Sequence, residues 1–368
     1  MKIKIAIIVP SMRGGGAEKV MANLIRYLDK DKFDIRLILI KKEGPYLDLI
    51  PNTVSVIDLN ARRVRYSIFK LIGELNKYKP DVILSTLGHL NLAILSIKIF
   101  LKAKPKIIVR HAIAPTVSMK KLSPVNRFIQ MNLYKKLYNK ADVVLAQCKD
   151  MQDDLEDVFQ INKTKLKYIY NPLDIERIQT AMIEKNPYDR NKINLVSVGR
   201  LTEQKGFDVL IRAIKLVSNR YPNIRLTILG DGEMKHQLIE LADKLDLKNQ
   251  VVFESFKTNP YPYYHYSDMY ILSSRYEGFP NTLLEALACK TKVIATNCKN
   301  GPREIIGENQ YGYLVEVENP ENLADEIINY IGLSNKTSDR AEYFEISKIV
   351  ADYQKLILDL TNKSQDNM

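Results

Sequence analysis

Twice along its 368 residues the chain runs through short, continuous apolar segments rich in β-branched residues, most of them separated by helix-like stretches. The first series is Ile3–Pro10, Ile35–Ile40, Val54–Leu59, Val82–Ser85, Ile107–Val109 and Val143–Ala146. The second is Ile193–Gly199, Leu226–Leu229, Val251–Phe253, Met269–Leu272, Val293–Ala295 and Gly312–Val315. A strand with no polar face has to be covered on both sides, and strands alternating with helices pair in parallel. Each series therefore predicts a doubly wound parallel sheet. The expectation is an α/β chain of two Rossmann-like domains facing a central cleft lined by the carboxyl ends of both sheets. A chain of 368 residues is also too long for one ordinary core. Residues 171–192 carry two prolines, several charges and no sustained period, which marks a connection. The expected division is residues 1–178, a linker at 179–192, and residues 193–368, whose last helix is free to pack back on the N-terminal domain.

Composition enters through charge. The net +12 is uneven: residues 1–180 hold 32 Lys and Arg against 17 Asp and Glu, and the rest hold 23 against 26. This basic first half, with groups at Arg62, Arg63 and Arg65, at Lys98, Lys102, Lys104 and Lys106, and at Lys120, Lys121 and Arg127 followed by Lys135 and Lys136, suits an anionic partner, whether nucleic acid, a phosphorylated acceptor or an acidic membrane surface; ordinary solvated lysine faces are the alternative. Cys148, Cys289 and Cys298 form no CxxC pair and no disulfide framework, which fits a reducing cytosol. The most apolar later stretch, Leu90–Leu101, contains Asn91 and Lys98 and is too short to span a bilayer. The chain is expected to be cytoplasmic, soluble or peripheral on the inner face of the cell membrane.

Chemistry concentrates in two segments of the second half. In YILSSRYEGFPNTLLEALA a strand ends at Ser273, a Gly/Pro turn follows, and a helix opens near Asn281 or Thr282. Free N–H groups and the dipole at that helix start suit a phosphate. Glu277 at the strand exit and Glu285 one turn into the helix can bracket a polyol pair, or they are two surface acids. In SVGRLTEQKGF, Arg200 and Lys205 stand where a diphosphate needs counter-charge, and Gly199 and Gly206 permit close backbone approach. Gly14-Gly15-Gly16-Ala-Glu18 follows the first strand but lacks the G-x-G-x-x-G spacing of a dinucleotide fingerprint. His111, in IIVRHAIAP, falls at a strand's carboxyl end, where it either faces the cleft or only bonds backbone. His89, in STLGHLN, lies near another strand exit and is a candidate on the acceptor side. Without HxH, HExxH or CxxC patterns, no bound metal is expected.

These strings, with VGRLTEQKGFDVLI, LTILGDGEM and GPREII, resemble the retaining GT-B glycosyltransferases marked by a Glu-x7-Glu motif, the group 1 family of bacterial surface-polysaccharide and glycan enzymes. The match covers most of residues 193–318; the first half matches more loosely, through IAIIVPSMRGGGAEKVMANLIRYL. The resemblance implies a nucleoside-diphosphate sugar as co-substrate, UDP by family frequency with GDP open, and no cofactor. It implies that Arg200 and Lys205 neutralise the diphosphate, Glu285 holds the ribose, and Glu277 with Gly278, Phe279, Pro280 and Asn281 positions the hexose. Thr282 and Leu283 would offer backbone N–H to phosphate. Gly15 and Gly16 would approach the donor, Gly14, Glu18 and His89 the acceptor, and His111 would touch the donor sugar, making Glu277, His111, Arg200 and Lys205 the catalytic set. The acceptor implied is a glycan, lipid-linked as in many bacterial members and met at an anionic membrane. Lys290, Lys292 and Ser255 depart from the family, which commonly has Gly or Pro at the first two and Gly at the third.

Three rival functions are weaker on the same residues. A basic nucleic-acid-binding protein leaves Glu277 and Glu285 unexplained. An NAD-dependent dehydrogenase lacks an intact fingerprint after either first strand. A phosphorylase needs a pyridoxal-bearing lysine context that is not identifiable.

Overall fold

The computed structural model describes residues 2–113, 115–120, 122–333 and 339–365. They form two compact units, residues 1–172 with 346–368, and residues 173–345.

The first unit contains β1 (Ile3–Val9), α1 (Gly16–Tyr27), β2 (Phe33–Leu39), β3 (Ser55–Asp58), α2 (Val64–Tyr78), β4 (Val82–Thr86), α3 (Gly88–Ile97), β5 (Lys106–Arg110), α4 (Pro115–Lys120), α5 (Pro124–Tyr138), β6 (Val143–Ala146), α6 (Lys149–Phe159) and β7 (Leu166–Tyr168). Its strands are all parallel in the order β3-β2-β1-β4-β5-β6-β7. β1 is the spine: Ile5–Val9 is wholly buried, with Ile5 beside Ile35 on one side and Val82 on the other. β7 was not anticipated. It is a three-residue edge strand whose Lys167 and Tyr168 are exposed, so it leaves no apolar run to read.

The second unit contains α7 (Ile175–Ala181), β8 (Ile193–Val198), α8 (Phe207–Arg220), β9 (Ile224–Leu229), α9 (Lys235–Lys244), β10 (Val251–Glu254), α10 (Tyr261–His265), β11 (Met269–Leu272), α11 (Asn281–Ala288), β12 (Val293–Thr296), α12 (Pro302–Ile306), β13 (Tyr313–Val315) and α13 (Pro320–Ile331). Its parallel sheet runs β10-β9-β8-β11-β12-β13. α8 shows why such segments fold as they do: Phe207, Leu210, Ile211, Ile214 and Val217 recur at helical spacing and enter this unit's core.

The division differs from the expected one. Residues 173–178, expected with the first domain, belong with the second unit, where Asp174 caps α7 by accepting from the Arg177 N–H at 3.2 Å. Leu173 N–H donates to Phe344 O at 2.8 Å and Leu173 bridges Glu345, so the chain enters and leaves this unit at adjacent points. The last helix, α14 (Ile346–Gln365), therefore belongs to the first unit. Its Ile346, Ile349, Val350, Tyr353, Leu356 and Ile357 form one stripe in the core around α1 and β1.

Candidate active site

In the second sheet the strand order reverses between β8 and β11, and the loops leaving those two strands are where a doubly wound sheet opens a crevice. Here the two loops are stitched together. Ser273 Oγ donates to Lys205 O at 2.8 Å, Arg275 N–H to Gln204 O at 2.8 Å, and Gln204 Nε2 to Tyr276 O at 3.0 Å. Arg275 forks onto both oxygens of Asp208 at 2.9 and 2.8 Å and reaches Glu318 at 2.8 Å. Gly206 sits at φ +61, and a Cβ there would stand 2.2 Å from Ser273 O.

Within this frame Lys205 Nζ lies 2.6 Å from Glu277 Oε1, which also accepts from Ser274 Oγ at 2.6 Å. Glu277 is 6% exposed and Glu285 4%; Tyr264 OH donates to Glu285 Oε2 at 3.3 Å. Arg200 is exposed, with no carboxylate within ion-pair distance among the described residues. The crevice thus holds one cation tied to a buried carboxylate and a second one open to solvent. Tyr270 OH donates to Thr282 Oγ1 at 2.7 Å, which fixes the first turn of α11 against β11.

Several expected contributions change. The close approaches at Gly199 and Gly206 are internal: the Lys205 stem packs on the first and the Ser273 carbonyl on the second. Phe279 is buried against Phe344, with Gly301 at φ +101 leaving room for the Phe279-Pro280 turn, so its side chain is structural. The Leu283 N–H donates to Pro280 O at 3.2 Å and is not available to a phosphate. Lys290, where the family has glycine or proline, is held at φ +60, a conformation that costs a side-chain-bearing residue roughly 1 kcal/mol. Ser274 and Tyr264 were missed. Ser274 lies three residues before Glu277, near enough to have been noticed, whereas Tyr264 is 21 residues from Glu285 and carries no spacing signal.

In the first unit, Gly14 is at φ +109 and Gly15 is the N-cap of α1, so the glycine run turns the chain from β1 into the helix. Glu18 folds back over that start: a Cβ on Gly15 would lie 2.2 Å from its Oε2. This is the arrangement of a carboxylate at the third helical position closing on its own cap. His89 lines a cavity of about 630 Å³ at the carboxyl ends of β1, β2 and β3, and partial burial lowers its pKa. Lys98 and Lys106, two of the basic residues expected to face an anion, are instead drawn to Asp142 at 3.0 and 3.8 Å.

His111 is buried among Tyr134, Tyr138 and Phe159, each edge-on at ring distances of 6.0, 5.8 and 5.8 Å, with Nδ1 3.0 Å from Tyr138 OH. Burial, with a smaller push from Arg110, drives its pKa down to about 4. The group is thus neutral at physiological pH and can act by hydrogen bonding rather than as an acid. An unfolded histidine takes up its proton near pH 6.5, so the stability this site confers is complete above that pH. It is lost as pH falls toward about 4, by roughly 3 kcal/mol in all. Urea titrations across that window should show about one proton less linkage in His111→Phe than in the parent; an unchanged slope would place the acid sensitivity elsewhere.

Two family comparisons divide the chain at nearly the boundary seen in the fold. Glycosyltransferase Family 4 matches residues 14–177, and Glycosyl transferases group 1 matches residues 178–345. An uncharacterised glycosyltransferase of Methanocaldococcus jannaschii is 32% identical over 79% of this chain and 82% of its own length. The chain belongs to the group 1 glycosyl transferases. A second relative of this transferase, from Campylobacter jejuni, is 30% identical over 96% of the chain and 99% of its own length. It is named N-acetylgalactosamine-N,N'-diacetylbacillosaminyl-diphospho-undecaprenol 4-alpha-N-acetylgalactosaminyltransferase. Anabaena HepE, solved in complex with UDP and glucose, superposes with a TM-score of 0.79 at 20% identity, covering 97% of this chain and all of that one. The transferase has the GT-B fold, two Rossmann-like domains in series.

Proposed function

We propose that this glycosyltransferase moves a hexose or N-acetylhexosamine, with retention, from a UDP-sugar to a hydroxyl of a lipid-linked glycan. The observation that carries the donor half is the crevice between the β8 and β11 loops, where Lys205 meets Glu277, with exposed Arg200 on the first loop and α11 opening after the second. Cations there meet the diphosphate as its charge grows on departure, and preorganised charge of this kind is worth most in the transition state. Glu277 takes the hexose and Glu285 the ribose. In a front-face reaction the C1–O bond to the diphosphate breaks, the acceptor oxygen bonds to C1 on the same face, and the departing phosphate oxygen receives the hydroxyl proton. The relatives support the remaining choices: HepE was solved with UDP and glucose, and the Campylobacter enzyme's name carries an alpha linkage and a diphospho-undecaprenol acceptor. Mass spectrometry of products from a panel of nucleotide sugars and lipid-linked acceptors tests this reading, with NMR of the anomeric proton for retention. Transfer from none of the UDP- or GDP-sugars, or an inverted product, refutes it.

A lipid-linked acceptor places the enzyme on a membrane, and α5 suits that surface. Val125, Phe128 and Ile129 are 69%, 70% and 58% exposed on one face, beside Arg127 and followed by Lys135 and Lys136. Apolar side chains flanked by cations match an anionic leaflet, where each basic residue contributes roughly 1 kcal/mol. Of the other basic residues expected to join them, Lys121 lies outside the described residues. Among the described residues no helix is long and apolar enough to cross the bilayer. Sedimentation with vesicles should require anionic lipid, weaken with salt and be lost in Phe128→Asp/Ile129→Asp. Equal binding to neutral vesicles, or none to acidic ones, contradicts the idea.

A further inference from the structure

The cavity of about 630 Å³ in the first unit is lined by five cations, Arg13, Lys41, Arg62, Arg63 and Arg65, and by one carboxylate, Glu43. Glu43 is already shared between Arg13 at 2.5 Å and Lys41 at 2.7 Å, and those two partners hold its carboxyl below the usual range. Arg62, Arg63 and Arg65 have no carboxylate within ion-pair distance among the described residues; Arg65 only donates to the Tyr66 hydroxyl at 2.7 Å. Three guanidiniums on four consecutive residues concentrate positive charge at this rim, which favours an anion there.

A second feature of the same wall points the same way. The 15-residue helix α2 opens at this cavity, with Arg63 as its N-cap and no side chain closing its first turn. Val64 and Arg65, its first two residues, line the cavity. Uncapped N–H groups and the positive end of the dipole add to the guanidinium charge. The remaining wall mixes apolar Ile40, Ile68 and Ala93 with polar Ser11, His89 and Ser96. The volume falls within the range of small-molecule sites, about 300–1,000 Å³, and is more than one phosphate needs.

The geometry points to a second anion site, distinct from the crevice of the other unit, that takes a diphosphate ester through Arg62, Arg63 and Arg65 while its organic part lies along Ile40, Ile68 and Ala93. The inference rests on the transferase reading for its meaning: such a ligand is the acceptor, held by the diphosphate that ties its sugar to a carrier. Guanidinium forks suit this group better than lysines, since each can grip two phosphate oxygens.

Calorimetry on the full chain with UDP already bound separates the two sites. Inorganic pyrophosphate should still bind, and Arg62→Ala/Arg63→Ala/Arg65→Ala should weaken that binding by at least about tenfold. All three side chains are exposed, so the variant is expected to fold, and UDP affinity read on the same sample checks it. Where folding fails, single Arg→Gln variants carry the same expectation at smaller size. Farnesyl diphosphate binding tighter than pyrophosphate identifies a carrier lipid as the source of the group; equal affinity identifies a water-soluble diphosphate. Unchanged pyrophosphate affinity in the triple variant overturns the site. So does loss of binding to phosphatidylglycerol vesicles alone, which would make the arginines a membrane face. If UDP does not bind but the arginine-dependent pyrophosphate signal persists, the transferase reading fails and this site stands.

Discussion

Lys205→Ala is expected to lower transfer by about 10²–10³-fold and to destabilise the second unit, whereas Arg200→Ala is expected to lower transfer to a similar extent and leave stability unchanged. The difference comes from burial. Arg200 is exposed with no ion-pair partner among the described residues, so its removal subtracts charge from the departing diphosphate and little else. Lys205 is bound to a carboxylate that is 6% exposed, and removing it leaves the Glu277 side chain hydrogen-bonded to the Ser274 hydroxyl alone among the described residues. Breaking one side of a buried pair costs about 3 kcal/mol or more, because the remaining charge has lost its compensation. The double variant Lys205→Ala/Glu277→Gln should recover much of that stability and none of the activity. Denaturant melts and initial rates on the parent, Lys205→Ala, Glu277→Gln and the double variant measure both quantities, and the departure from additivity gives the coupling. Near-native rates and UDP affinity in both single variants would remove the crevice from the mechanism.

How far the sequence reaches is set by the range of the interactions. The strands from β8 to β13 were legible because a buried parallel strand is an unbroken apolar run, and the turn through Gly278 and Pro280 into α11 is local chemistry. α14 was legible as a last helix free to pack back on the first domain; what sends it there is the point where the chain leaves the second unit, fixed by Leu173 meeting Phe344 and Glu345. The boundary was set a few residues late for a local reason: the Asp174 cap that opens α7 was present in the sequence, among prolines and charges that carry no sustained period. The pairing of Lys205 with Glu277 spans 72 residues, and no periodicity reports a contact of that separation. His111 was placed correctly at a strand end, yet the aromatic cage that keeps it neutral comes from α5 and α6. The arginines at 62, 63 and 65 were visible as a cluster; that α2 opens among them beside a cavity is a fact of the fold.

The two acids of the motif should separate in a binding experiment. Glu285 sits on the inner side of α11, held by the Tyr264 hydroxyl and assigned to the ribose, so Glu285→Ala removes a charged hydrogen bond to the nucleotide itself. Such bonds are worth about 1.5–3 kcal/mol, which predicts UDP binding weaker by roughly 10–100-fold. Glu277 is assigned to the hexose, which UDP lacks, so Glu277→Gln should depress transfer while UDP still binds. The structure sharpens this further. Glu277 holds Lys205 at 2.6 Å, and a diphosphate has to compete for that ammonium. Neutralising the carboxylate releases Lys205, so UDP should bind Glu277→Gln as tightly as the parent or more tightly, even as turnover falls. A falling KM for the donor alongside a falling kcat would be the kinetic form of the same effect. Calorimetry with UDP alone decides the matter: equal losses of affinity in the two variants contradict the division of roles, and a loss confined to Glu277→Gln reverses it.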